Sequence, residues 1–451
     1  MGTHTGTDQA LVKAFTQEGE GVRVQVNDLV RLNKDAYIGF LSELVQTDTQ
    51  VIGHGVLGGN EQAGQAIIKK KLEQLGFEID EFCVDDEKIK KYPGANLGHK
   101  NEGRPNIVGV WKGTGNGRSL ILNGHIDTMP FGDRAKWTDD PFSGEVKGDV
   151  LYGLGSTDMK ASLAAMILAA QVLHTMGVKL KGDLIIQSVV DEEGGGNGTL
   201  ACVERGYTAD AAIVGEPTQL HIQPAHMGFL FHEIKVEGKS LHSSQLWEGV
   251  NAIDKAIKIY QSIKELEHHW LMTERHSLLP GPTINLGEIK GGIAGSVVPD
   301  SCTLKTCLHY QPKQGESYQE TRDRVHQQVL DAIDRVVLGD EWLRKHPPQV
   351  TVYQEGFPFE TPVTHPLIQE VKELLGEVLQ DEVVIEGMPA GCDARLLAGF
   401  ADIPTVILGC GDPRQCHCID ESVPVDQFLT LIEVYARFIV SWCGVESNTN
   451  E

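Results

Sequence analysis

The chain has 451 residues, with 39 Lys+Arg against 63 Asp+Glu and a formal net charge of −24, which excludes the clustered positive surface that nucleic-acid phosphates require. Its 41% hydrophobic and 23% charged residues supply a packed core and exclude a disordered chain, while its length favours two domains. No apolar run reaches the ~18 residues of a membrane span, the start Met1-Gly2-Thr3-His4 lacks a signal-peptide pattern, and nine scattered cysteines do not read as a disulfide framework, so the expectation is an acidic, cytoplasmic protein.

The first 34 residues are polar and weakly periodic, and read as an extension, a helix lying on the surface. Ala36 to Leu75 reads as helix: Tyr37, Phe40, Leu41, Leu44 and Val45 recur at helical spacing, as do Ala66, Ile67, Leu72 and Leu75. Gly76 supplies the left-handed stop. Val84 to Arg104 is charged and punctuated by Pro and Gly, hence a loop.

Four apolar runs then share one grammar. Ser119–Gly124 leads into His125-Ile126-Asp127, and Asp183–Val190 leads into Asp191-Glu192-Glu193 and three glycines. Ala211–Val214 leads into Gly215-Glu216-Pro217-Thr218, and Ile403–Leu408 leads into a loop carrying His417. Continuous apolar runs suit strands buried on both faces of a parallel sheet. Open α/β sheets place their site at the carboxyl ends of such strands, so the four loops are expected to converge. Between Gln219 and Pro347 the pattern changes to alternation, as in Phe229–Val236, with helical segments at Ala252–Leu266 and Tyr318–Val337. That order predicts a small inserted α+β sandwich. The expected division is an extension at 1–34, a main domain from 35–218 and 348–451, and an insert at 219–347.

The side chains at these loops suggest a metal site. His125 and Asp127, two apart on an extended segment, point the same way, and a metal-bound imidazole commonly gives its other N–H to a carboxylate; a surface His beside a solvated Asp is the alternative. Asp158 opens a helical pattern at Met159–Met166 and suits an N-cap, a role compatible with bridging two cations. The adjacent carboxylates Glu192 and Glu193 are tolerable together if one faces a cation and the other a proton. Pro217 holds Glu216 extended. Cys416-His417-Cys418 does not match thiolate zinc spacing, which leaves His417 as a single imidazole donor. Imidazole and carboxylate ligation suits Zn²⁺ and tolerates Co²⁺ or Mn²⁺. Five ligands are too many for one four-coordinate zinc, whereas two ions sharing a carboxylate use them all.

These residues resemble the di-zinc amidohydrolases and peptidases that include aminoacylase, acetylornithine deacetylase, succinyl-diaminopimelate desuccinylase and carboxypeptidase G. The likeness rests on Gly124–Pro130, Gly153–Lys160, Asp191-Glu192-Glu193, Gly215–Thr218 and His417-x-x-x-Glu421. It implies a zinc-peptidase-like α/β domain, a parallel-rich mixed sheet sandwiched by helices, with an inserted ferredoxin-like dimerisation and lid domain. It further implies two Zn²⁺ per subunit: His125 and Glu216 on one, Glu193 and His417 on the other, Asp158 bridging, Asp127 orienting His125 and Glu192 as general base. Gly238–Ser244 resembles the family segment whose histidine, here His242, reaches a neighbouring subunit's site and holds the oxyanion, which implies a homodimer. Gly391–Arg395 resembles a segment whose arginine, here Arg395, grips a substrate carboxylate, and Asn285 resembles a further substrate contact. Ser296 and His309 depart from a usual Asn and Arg, which bears on acyl preference. The implied activity is deacylation of an N-acyl amino acid. A carboxypeptidase or dipeptidase is the second reading, and a non-catalytic metal-dependent binding protein the third.

Overall fold

The computed structural model describes residues 20–52 and 57–446. It divides into two compact units, the first built from the chain up to Pro224, Thr361–Glu386 and the chain from Cys392, the second from Ala225–Glu360 and Gly387–Gly391. The main strands in chain order are β1 Glu78–Cys83, β2 Pro105–Trp111, β3 Leu120–His125, β4 Leu184–Val189 and β5 Ala211–Val214. They continue as β6 Gly228–Glu237, β7 Thr283–Gly291, β8 Ser301–Tyr310, β9 Gln349–Gly356 and β10 Thr405–Ile407.

In the first unit the sheet order is β1-β2-β4-β3-β5-β10. β3 runs parallel to β4 and β5, β10 runs parallel to β5, and β1 and β2 form an antiparallel margin. Every residue of β3, β4, β5 and β10 is buried, as largely apolar strands covered on both faces require. Among their polar side chains, Asn123 donates to Gln187 at 3.0 Å and Ser188 to Gln65 at 2.7 Å. The helix Ala161–Thr175 packs on β3 and on the C-terminal helix Val425–Cys443. Ala161 through Ala170 are all buried, so this helix is apolar all round and lies inside the core.

Two expectations for this unit are corrected. The helix expected over 36–75 is two helices, Lys34–Gln46 and Gln62–Gln74. The β-branched stretch between them pairs instead with the chain after β3, Val51 N–H donating to Thr128 O at 2.9 Å and Thr128 N–H to Thr49 O at 3.2 Å. The expected surface extension contains the helix Glu20–Leu32. Val26 and Val30 on it are 0% and 4% exposed and join the main core, and Asn27 donates to Glu433 at 2.6 Å. Residues 1–19 lie outside the described residues.

The second unit is a four-stranded antiparallel sheet in the order β7-β8-β6-β9. The helices Ala252–Thr273 and Tyr318–Gly339 bury Ile259, Ile263, Val325 and Val329 in its core. The unit runs past residue 347, because β9 completes the sheet by pairing with β6.

Candidate active site

Register brings the site loops together. His125 lies opposite Val189 across β3–β4, Asn123 opposite Val214 across β3–β5, and Ile407 opposite Val214 across β10–β5. The parallel strands therefore end on one edge of the sheet, and the loops that follow them carry Asp127, Glu192, Glu193, Glu216 and His417. Two groups of ligand atoms result, His125 with Glu192 and Glu216, and Asp158 with Glu193 and His417, the atoms of each group lying within 4.8 Å of one another.

Asp158 joins the two groups. Its Oδ1 is 3.1 Å from His125 Nε2 and its Oδ2 is 3.4 Å from His417 Nε2. His125 Nε2 is also 3.7 Å from Glu216, and His417 Nε2 is 3.0 Å from Glu193. Asp158 does not cap a helix: Lys160 is the residue before the helix Ala161–Thr175, and the Asp158–Met159 peptide is cis. Lys160 is buried, and its ammonium donates to the carbonyls of Leu44 and Thr47 at 3.0 Å.

Asp127 meets His125 through its main chain. His125 Nδ1 meets the backbone carbonyl of Asp127 at 2.9 Å, while the nearer carboxylate oxygen is 3.6 Å away. That carboxylate instead accepts the backbone N–H groups of Glu192 at 3.4 Å and Glu193 at 3.1 Å. One residue thus orients the imidazole through its main chain and the acidic turn through its side chain.

Glu421, four residues after His417, has a role that its place in the sequence does not reveal. The side chain is 1% exposed and accepts from Gly155 N at 2.7 Å, Thr157 N at 2.8 Å and Asp158 N at 2.9 Å. It holds the loop that presents Asp158. Asp393 was also missed: its buried charge contributes to raising both Glu192 and Glu216. Its signal was its place beside Arg395 in a segment already singled out.

The electrostatics follow from crowding carboxylates in a dry crevice. Burial, then Glu216 and Asp393, holds Glu192 well above the usual carboxylate range. Burial pushes Glu216 up to about 8 and Asp127 up to about 8. Burial alone would raise Asp158, but the two imidazoles outweigh it and lower it. Hydrogen bonds donated to the carboxylates of Asp158 and Glu193 push His417 up to about 11. Burial opposes charge on His125, but Asp158, Glu216 and Asp127 hold it well above its ordinary value. Such an excess of negative charge, with two imidazoles set between carboxylates, fits divalent cations and their hard oxygen and nitrogen donors.

Three further residues were expected to act on substrate. Arg395 is 4% exposed and its guanidinium donates to the carbonyls of Cys392 at 2.6 Å and Gly195 at 2.8 Å, the latter in the turn that follows Glu193. His242 and Asn285 belong to the second unit and are exposed. His242 Nδ1 caps a 3₁₀ turn through Ser244 N at 3.2 Å and meets Ser244 Oγ at 2.8 Å, which leaves Nε2 as its outward-acting nitrogen. Asn285 sits on β7 opposite Cys307. Ser296 accepts the backbone N–H of Ser243 through its own carbonyl at 2.9 Å, and burial lowers the pKa of His309.

The model of peptidase family M20/M25/M40 matches residues 121–441. The chain belongs to this family. As a member it is a hydrolase of amide bonds, from a metal-dependent family. It is similar to the N-formyl-4-amino-5-aminomethyl-2-methylpyrimidine deformylase of Bacillus subtilis, 32% identical over 85% of this chain and 90% of the relative. It is also similar to the acetylornithine deacetylase of Proteus mirabilis, 31% identical over 86% of this chain and 92% of the relative. Among solved structures, a tripeptidase from Staphylococcus aureus shares the fold with a TM-score of 0.69 at 22% identity, covering 91% of this chain and 99% of its own. An M20 metallo-carboxypeptidase from Sulfolobus solfataricus does so with a TM-score of 0.70 at 16% identity, covering 89% and 98%. Among the described residues no helix is long and apolar enough to cross a membrane.

Proposed function

We propose that the protein is a two-metal deacylase that removes a short acyl group, formyl or acetyl, from the nitrogen of a small amine, with N-acyl amino acids as the first substrate class. The observation that carries this reading is Asp158, which has one oxygen toward each of the two imidazoles. The relatives at about a third identity support acyl removal over peptide cleavage, since their names describe a deformylase and a deacetylase. His125 and Glu216 would hold one Zn²⁺, Glu193 and His417 the other, and Asp158 would contact both. Bound there, the pair supplies positive charge that lowers the pKa of water toward ~7.

Glu192 takes the proton of the attacking water and passes it to the leaving nitrogen. Glu192 stands against His125 and Glu216, the ligand atoms of the three lying within 4.8 Å of one another. Asp127 holds the backbone of Glu192 while orienting His125. The protein acts as a homodimer through the second unit, and His242 of the partner subunit donates to the developing oxyanion, the kind of preorganised contact worth most in acyl transfer. The test is a panel of N-formyl, N-acetyl and N-succinyl amino acids, N-formyl aminomethylpyrimidine and dipeptides, assayed with zinc-loaded protein whose mass is measured by light scattering. Highest kcat/KM on a formyl or acetyl substrate, from a dimer, is expected. A dipeptide preferred over every acyl substrate would favour the dipeptidase reading, and turnover of none would favour a binding protein.

A further inference from the structure

A second cluster of charges lies in the first unit behind the metal groups, and the mechanism above makes no use of it. Arg104 is 1% exposed, and Glu61 and Asp191 are 0% exposed. Arg104 Nε donates to both Glu61 oxygens at 3.0 Å, and Nη2 donates to Glu61 at 2.6 Å and to Asp191 Oδ1 at 3.0 Å. The other oxygen of Asp191 meets His99 Nδ1 at 2.8 Å and Asn197 Nδ2 at 2.8 Å. Both oxygens of the Asp191 carboxylate are therefore held, by the loop carrying His99 and Arg104 and by Asn197 of its own turn.

Asp191 stands immediately before Glu192, and its φ is +67°. That left-handed conformation is uncommon for a residue with a side chain and persists only where surroundings impose it. The same clamp extends along the turn: Asn96 Nδ2 donates to Gly194 O at 2.6 Å, and Asn197 Nδ2 donates to Asn96 O at 2.6 Å. A Cβ on Gly194 would stand 2.6 Å from Asp191 Oδ1, so the turn closes directly over the carboxylate. On its other side the turn is held by Asp127. A buried ion pair is weak evidence for stability, since well-packed apolar side chains often serve as well or better. What the Arg104 fork provides is direction: two fixed donors joining Glu61 to Asp191 in one plane.

We propose that Arg104 is a positioning residue for the general base, acting through Asp191 to fix the backbone from which Glu192 projects. The proposal rests on the reading of Glu192 as the base. It separates Arg104 from the metal ligands, none of which it contacts, and gives the charged segment before β2 a part in the reaction. Its nature is geometric: Lys keeps the charge at position 104 and loses the planar fork.

The test compares Arg104→Lys, Glu61→Gln and Glu192→Gln in the full-length zinc-loaded protein, on the best substrate of the panel. Kinetics, metal content by mass spectrometry and amide exchange of residues 191–197 are read for each. The account expects Arg104→Lys to lower kcat ~10–100-fold, the usual span for outer-shell partners. KM should move by less than about twofold, zinc content should stay at the wild-type value, and exchange across 191–197 should quicken. Glu61→Gln should show a smaller fall of the same kind. Normal kcat in Arg104→Lys alongside an inactive Glu192→Gln would overturn the proposal. So would a kcat loss that tracks lost zinc, or failure of both network variants to fold, since either makes the cluster a support for metal or fold. Normal turnover by Glu192→Gln would instead overturn the reading of the base itself.

Discussion

Glu421→Gln should loosen Asp158 while leaving the volume of the side chain unchanged. In the native site one Glu421 oxygen accepts from Thr157 and Asp158 and the other from Gly155, at 2.7 to 2.9 Å. A glutamine carbonyl can replace one oxygen and keep two of these bonds, but its NH₂ group then faces the N–H of Gly155. One buried donor is orphaned, at ~1–3 kcal/mol, and the two surviving bonds lose their charged acceptor, each worth ~1 kcal/mol less. Against this, burial and the charge of Asp158 push Glu421 up to about 8, and a neutral amide removes that repulsion. The orphaned donor and the relieved repulsion act in opposite directions on stability, so the larger effect is expected on zinc affinity, lowered ~10–100-fold as for other outer-shell substitutions. Urea denaturation of the metal-free chain and competition against a zinc chelator measure the two quantities. A variant as stable as wild type that also binds zinc as tightly would refute the claim that Glu421 presents Asp158.

Other consequences can be checked alongside. Glu192→Gln should lower kcat ~10²–10⁴-fold, the span of a lost acid–base group, with zinc retained by mass spectrometry; near-normal turnover would show that another group takes the proton. Lys160→Met should destabilise the fold, since the carbonyls of Leu44 and Thr47 lose their buried donor, by ~1–3 kcal/mol in denaturant titration; an unchanged midpoint would contradict the bracing role. His232 meets His326 at 2.9 Å, and burial, then the charge of His326, lowers its pKa to about 3. Between pH ~6.5 and ~3 the unfolded chain binds a proton there that the folded chain does not, so stability falls as pH drops, by ~1.4 kcal/mol per unit at most. His232→Gln should flatten that slope in acid denaturation, and an unaltered slope would place the acid sensitivity elsewhere.

Much of the first unit was legible because burial on both faces leaves a plain mark. The runs Ser119–Gly124, Asp183–Val190, Ala211–Val214 and Ile403–Leu408 are mostly apolar, and each contains a buried strand with a parallel neighbour. Most of the metal-capable side chains were legible for the same reason: His125, Glu192, Glu193 and Glu216 stand at or just after the ends of such strands, which share one edge of the sheet. What escaped notice depends on main-chain contacts that residue types do not announce. The break between Gln46 and Gln62 is set by pairing with Thr128, a partner distant in sequence. Asp127 orients His125 through a carbonyl, which any residue possesses. Glu421 acts on backbone N–H groups more than 260 positions away, and Arg104 looked like one charge among several in a polar loop although it is buried. The helix Glu20–Leu32 docks through Val26 and Val30, two residues too few to stand out in a polar segment.

Two cations on either side of the Asp158 carboxylate are what the proposed chemistry requires. Anomalous diffraction from a zinc-loaded crystal, collected above and below the zinc edge, tests this directly. Two peaks ~3.5–4 Å apart, each ~2.0–2.2 Å from an oxygen of Asp158, with His125 and Glu216 on one and His417 and Glu193 on the other, are predicted. A single peak at full zinc occupancy, or peaks that leave Asp158 uncoordinated, would contradict it.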